Sequence, residues 1–159
     1  QKTATFLSAL QKKADVEISW VHGKEALIDK LDVGETEIKE CDFSQMPQEI
    51  SKSSFGLAIC KNDVGVSLKG VNPTKVAEFL AVGRPVVVSK GTGDLDTLLK
   101  EYQAGIIIDD DLEKSVNELL LLLRDPDTAY RCRKLAEEKF NIERAINQYG
   151  LIFKKLLKF

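Results

Sequence analysis

Three side chains of complementary chemistry sit close together in Asn72-Pro73-Thr74-Lys75-Val76-Ala77-Glu78: a hydroxyl, an ammonium and a carboxylate. Asn is a strong N-cap and Pro suits the first helical position, so the segment reads as a helix start capped by Asn72. Lys75 then falls in the first turn, where a cation opposes the helix dipole by ~0.3–1 kcal/mol. An anion held jointly by the free N–H groups and Lys75 reverses that penalty. Glu78 follows Lys75 by three residues and Thr74 by four, which puts all three on one face. Phosphate on Thr74 and Lys75, with a ribose diol on Glu78, makes a coherent nucleotide site, because a carboxylate accepts two hydrogen bonds. The same spacing equally describes an exposed Lys75–Glu78 pair on a solvated helix.

Other segments offer less. Lys90-Gly91-Thr92-Gly93-Asp94 has the make-up of an anion-binding nest. Asp94, however, is placed to cap a following helix, which uses donors and repels anions, so a tight turn is the better reading. It lacks the G-x-G-x-x-G dinucleotide fingerprint. His22 closes a β-rich run, but no carboxylate or nucleophile pairs with it, and a lone His is more often structural. Trp20 reads as core. Asp109-Asp110-Asp111 reads as a helix start rather than a metal cluster. Cys41, Cys60 and Cys132 fit neither a zinc site nor a redox pair. They read as reduced, buried, small apolar side chains. Nothing here calls for a metal or a cofactor.

The elements that must position these residues alternate in period. Strand-like runs fall at Val16–Val21, Thr36–Glu40, Phe55–Cys60, Pro85–Ser89 and Gly105–Ile108. Helical spacing appears up to Leu10, then over Lys24–Leu31, Met46–Ser53, Pro73–Val82 and Leu95–Glu101. Lys61–Val71, with two glycines among Asn, Asp and Ser, reads as a loop. From Leu112 the chain is helical to its end, with one stripe at Leu112, Val116, Leu119, Leu120 and Leu123. Tyr130, Leu135 and Ala136 mark a second helix. Ile142, Ile146, Tyr149, Phe153 and Leu157 mark a third, expected to pack that stripe against the domain rather than against a membrane. Near-continuous Val, Ile and Leu strands alternating with helices predict an α/β, doubly wound parallel sheet of about five strands with a helical tail. In such sheets ligands bind beyond the carboxyl ends of the strands. That end carries His22-Gly23, Cys41–Gln45, Lys61–Asn72 and Ser89–Asp94.

The chain has 159 residues, 30% of them charged, with a net charge of −2. That length suits one domain. The balance excludes a nucleic-acid binder working by bulk positive charge. The longest apolar run, Leu119–Leu123, is far short of the ~20 residues that span a bilayer. With no signal peptide visible at Gln1–Leu10, the expected location is cytoplasmic.

At residues 72–94 the sequence reads NPTKVAEFLAVGRPVVVSKGTGD. This resembles the donor-binding core of GT-B fold glycosyltransferases, especially the large retaining group (group 1, family 4-like), whose members carry P-x-K-x-x-E-x-x-A-x-G-x-P-V-V. The strand at Phe55–Cys60, the segment YQAGIII and the tail RDPDTAYRCRKLAEEKF extend the resemblance across nearly the whole chain. It implies a Rossmann-like donor-binding domain over 1–159. Glu78 matches the glutamate that holds the donor ribose. Asn72, Pro73, Thr74 and Lys75 match the diphosphate region. His22, Gly23, Asp42 and Phe43 match places that contact phosphate or base. Gly70 stands where many relatives carry a first glutamate near the sugar, so the resemblance assigns neither sugar contact nor stereochemistry there.

Gln1 falls inside the first helix of such a domain. The resemblance therefore places its first strand, and an N-terminal acceptor-binding domain, outside this sequence. The implied partners are a nucleotide-diphosphate sugar and that acceptor domain, with peripheral contact of the whole protein at the cytoplasmic face of a membrane compatible with them. The isolated domain is expected not to transfer sugar. The alternatives are a non-enzymatic nucleotide-sensing or receiver-like module, and half of a sugar-nucleotide epimerase.

Overall fold

The computed structural model describes residues 2–21, 36–39, 41–59, 68, 70–71 and 73–157. The described elements run α1 (Lys2–Gln11), β1 (Ile18–Val21), β2 (Thr36–Lys39), a short 3₁₀ turn (Phe43–Gln45), α2 (Met46–Ser51) and β3 (Gly56–Ala58). They continue with α3 (Thr74–Ala81), β4 (Val86–Ser89), α4 (Leu95–Tyr102), β5 (Gly105–Ile108), α5 (Leu112–Arg124), α6 (Thr128–Lys139) and α7 (Ile142–Leu157). The helix expected at Lys24–Leu31 and most of the loop at Lys61–Val71 lie outside the described residues.

β3, β4 and β5 form a parallel sheet in that order, with Val86 opposite both Gly56 and Gly105. Residues on a strand alternate between faces, so a run of Val needs cover on both sides. Val86 and Val88 join one buried cluster with Val76, Leu80, Leu95, Leu99 and Leu135. That face is therefore roofed by α3, α4 and α6. Val87 joins Phe6, Leu7, Leu10, Val116 and Leu119 on the other face, under α1 and α5. At ~1.5–3 kcal/mol for each fully buried aliphatic side chain, these two clusters are what hold the sheet between its helices.

The sequence predicts one sheet of about five strands. The described residues show instead a three-stranded sheet and a separate parallel pair, β1–β2, with Ile18 opposite Thr36. Five apolar runs mark five strands, but hydrophobic pattern does not say which of them are hydrogen-bonded neighbours.

Gly56 lets α3 lie close over the sheet. A Cβ there would sit 2.5 Å from Cγ of the Phe79 ring, so a larger residue would push the helix away. Arg84, just past α3, donates through its guanidinium to the Ser51 carbonyl and ties α2 to the same corner.

α7 departs from expectation. Its stripe is not packed: Ile142 is 70% exposed, Phe153 57%, and none of its residues is buried. Tyr130 is exposed as well, and Cys132 takes its place in the core beside Leu135 and Ala136.

Candidate functional site

The carboxyl ends of β3 and β4 lead to the two junctions that carry the predicted chemistry. α3 begins one residue later than the sequence suggests. Pro73, with φ −64° and ψ 118°, takes the cap position, and Thr74 is the first helical residue. The expected cap, Asn72, lies outside the described residues. A proline has no side-chain acceptor, so Pro73 itself caps no N–H of this turn; its carbonyl accepts from Val76 N–H at 3.0 Å.

Thr74 and Lys75 are exposed on the first turn, and Glu78 is half-buried on the next. Lys75 Nζ donates to Glu78 Oε2 at 2.9 Å. The fold thus brings the three sequence-predicted residues together, and it also realises the plainer alternative of an i,i+3 pair. Their side chains are 56% and 29% exposed, and a pair so open to water is worth only ~0–1 kcal/mol. Such a weak contact leaves both groups available to a ligand that offers phosphate to one and hydroxyls to the other. Glu78 also edges an open groove of about 400 Å³ between α3 and α6, floored by Ala77, Ala81, Ala136 and Phe140.

The second junction is closed on itself. Gly91 and Gly93 have φ +83° and +53°, the left-handed region that glycine adopts freely. Gly91 N–H donates to both carboxylate oxygens of Asp96, at 3.1 and 3.0 Å. Asp94 occupies the cap position of α4 but makes no side-chain cap bond, so the carboxylate that takes the turn's donor is Asp96. Two residues further along, Asp96 can reach back over the turn, which proximity to the helix start did not reveal. Thr92 is fully buried and donates its hydroxyl to the Ser89 carbonyl at 2.8 Å. The Asp110 N–H donates to the Asp109 carboxylate at 2.9 Å, and this bond, with the Lys90 cation 4.0 Å away, holds the Asp109 carboxyl below its usual range.

Sequence reasoning missed a link between the junctions. Gly93 N–H donates to the Leu68 carbonyl at 3.0 Å, tying the loop after β3 to the turn after β4. No side-chain signal announces a bond made by two backbones. Nearby Gly70 has open space where a Cβ would point.

Asp42 and Phe43 sit at the 3₁₀ turn that leads into α2, with Asp42 at its N-cap. Phe43 is 84% exposed, an aromatic ring presented to solvent. No hydrogen bond among the described residues joins this turn to α3. His22 and Gly23 lie outside the described residues. Among the described residues no group of His, Cys, Asp and Glu is arranged to hold a metal. Asp111 behaves as read: its carboxylate accepts from Lys114 N–H at 3.0 Å and caps α5. Among the described residues no helix is long and apolar enough to cross a membrane.

A three-stranded parallel sheet with helices on both faces defines a mixed α/β domain, with Thr74, Lys75 and Glu78 on the helix that follows β3. Comparison with family models makes this specific. The chain belongs to the family described as Glucosyltransferase 3-like, C-terminal domain, whose model matches residues 3–156. A comparison with curated proteins finds no match.

Proposed function

We propose that this chain is the donor half of a GT-B glycosyltransferase of the retaining group 1, family 4-like type, and binds a nucleotide-diphosphate sugar at the start of α3. The observation that carries the reading is the placement of Thr74, Lys75 and Glu78 on one helix face beyond the carboxyl end of β3. In this reading Glu78 accepts from the ribose hydroxyls, while Lys75, Thr74 and the first-turn N–H groups meet the diphosphate. As the sugar leaves, negative charge grows on that diphosphate, and a preorganised cation and helix N-terminus stabilise it. Asn72 and Pro73 set the helix entry. His22, Gly23, Asp42 and Phe43 line the base and outer phosphate side, where the exposed Phe43 ring offers a stacking surface. The family's description favours a glucosyl donor, and transfer over the sensing and epimerase alternatives. The acceptor hydroxyl comes on an N-terminal domain of the full-length protein, so the isolated chain binds donor without turning it over. No metal or cofactor takes part, and the whole protein works in the cytoplasm.

Calorimetric titration of the full-length protein with UDP, GDP and ADP tests this. One nucleotide is expected to bind selectively, and Glu78→Ala to weaken it about 10-fold or more, as for a charged hydrogen bond worth ~1.5–3 kcal/mol. Unchanged binding in Glu78→Ala would remove the ribose role.

A further inference from the structure

We propose that α7 is a membrane-surface helix, which lies on an anionic bilayer with its apolar face in the acyl layer and its cations at the headgroups. The proposal stands apart from the donor reading and uses no residue of α3. The helix is fixed locally at its start, where Asn141 Oδ1 accepts from Glu143 N–H at 2.8 Å. Wound at about 3.6 residues per turn, Ile142, Ile146, Tyr149, Phe153, Leu156 and Leu157 share an arc of roughly 100°. All six are between 57% and 72% exposed, and no residue of the helix is buried. α5 carries a stripe of the same regularity and buries Val116 and Leu119 in it. A lone helix of 16 residues is marginal in water, so a face this apolar is stable only under cover.

The charges identify the cover. On the same winding, Lys154 lies beyond one margin of the arc, and Arg144 and Lys155 beyond the other. Against these three cations the helix has one carboxylate, Glu143 in its first turn. It is thus a cationic element in a chain whose net charge is −2. Lysine is depleted where protein covers protein. Lys and Arg beside a face of Ile, Leu and Phe are instead the make-up of helices that lie in the headgroup layer and are drawn to anionic lipid. The aliphatic stems of Lys154 and Lys155 can run along the apolar layer and deliver their ammonium groups to lipid phosphates. Tyr149 suits the same depth, with an apolar ring and a hydroxyl for the wet boundary.

The helix lies along the surface rather than through it. Its length of about 24 Å is less than the ~30 Å apolar core of a bilayer. Among the described residues no helix is long and apolar enough to span one.

Co-flotation of the full-length protein with lipid vesicles decides the matter. Vesicles of phosphatidylcholine with about 30% phosphatidylglycerol are expected to bind it at least ~10-fold more tightly than phosphatidylcholine alone, and the difference to shrink in about 0.5 M salt. Phe153→Asp sets a charge in the apolar face and is expected to weaken binding about 10-fold or more. The double variant Lys154→Glu, Lys155→Glu changes only exposed cations, leaves folding intact, and is expected to weaken binding to the anionic vesicles about 10-fold or more. Failure of the wild type to float with anionic vesicles overturns the proposal. So does binding that ignores lipid charge, or that survives both α7 variants. A loss of Tm above about 5 °C in Phe153→Asp places the face inside the folded protein. A dimer in light scattering that the same variant splits places it between two copies, and each of these results also overturns the proposal. Nucleotide affinity enters none of these readings.

Discussion

The junctions after β3 and β4 leave the same end of the same sheet, yet they spend their polar groups differently. At the turn after β4, Gly91 N–H is held by Asp96, the Thr92 hydroxyl by Ser89, and Gly93 N–H by Leu68. At the start of α3 the cap is a proline, and the side chains that matter are joined only by an exposed ion pair. One junction is a structural knot and the other is a surface with capacity to spare. Glycine-rich composition marked the first in the sequence, and a glycine-rich turn is the usual place to look for phosphate binding. The proposed site uses the less conspicuous one.

This contrast predicts that substitutions in the two junctions separate binding from stability. The largest effect is expected at α3. Lys75→Ala and Glu78→Ala in the full-length enzyme should each reduce kcat/KM for the donor about 10- to 100-fold, the worth of a charged hydrogen bond at ~1.5–3 kcal/mol. Both should leave urea midpoints within the ~0.5 kcal/mol typical of surface changes. Steady-state kinetics beside denaturation separates the two, and a large stability loss in either variant would erase the contrast.

Next comes Thr92→Val, with the reverse signature. It removes a buried hydroxyl and leaves the Ser89 carbonyl one donor short, at a cost of ~1–3 kcal/mol. Urea unfolding should show the loss while donor KM stays put. Asp96→Asn is milder, because Gly91 N–H keeps a neutral acceptor. A loss of ~0.5–1 kcal/mol is expected, again without change in KM.

The smallest effect lies outside both junctions and calibrates them. Arg131 donates to Asp125 at 2.8 Å, and this bond, with the Asp127 N–H, holds the Asp125 carboxyl below its ordinary range. A carboxyl depressed in the folded state contributes stability above its unfolded pKa, and loses it as pH falls through the lower folded value. Thermal melts of Asp125→Asn should therefore fall less steeply than wild type below about pH 4.

Much of this fold could be read from residue order. PVVVS announced a strand buried on both faces, and Val86, Val87 and Val88 are all within 1% of full burial. Leu112, Val116 and Leu119 announced the inner face of α5. What could not be read was pairing. The apolar stripe of α7 is as regular as that of α5, but periodicity defines a face without naming what covers it, and here the domain does not. At the site, Thr74, Lys75 and Glu78 were legible because helical spacing fixes which side chains are neighbours. The Asp96 and Leu68 contacts were not, since both depend on how a turn folds back in three dimensions.

Cys132 gives the molecule an internal clock. Its thiol is fully buried on the inner side of α6, donates to the Ala104 carbonyl at 3.6 Å, and is pushed by that burial to a pKa of about 12. Only the thiolate reacts with alkylating reagents, so in the closed domain this sulfur is both hidden and chemically silent. Each alkylation event at Cys132 therefore records an opening of the α3–α4–α6 core. The partly exposed Cys41 stands beside it as an accessible reference on the same chain. The ratio of the two labelling rates would report how often the roof over the sheet lifts, with no probe added to the protein.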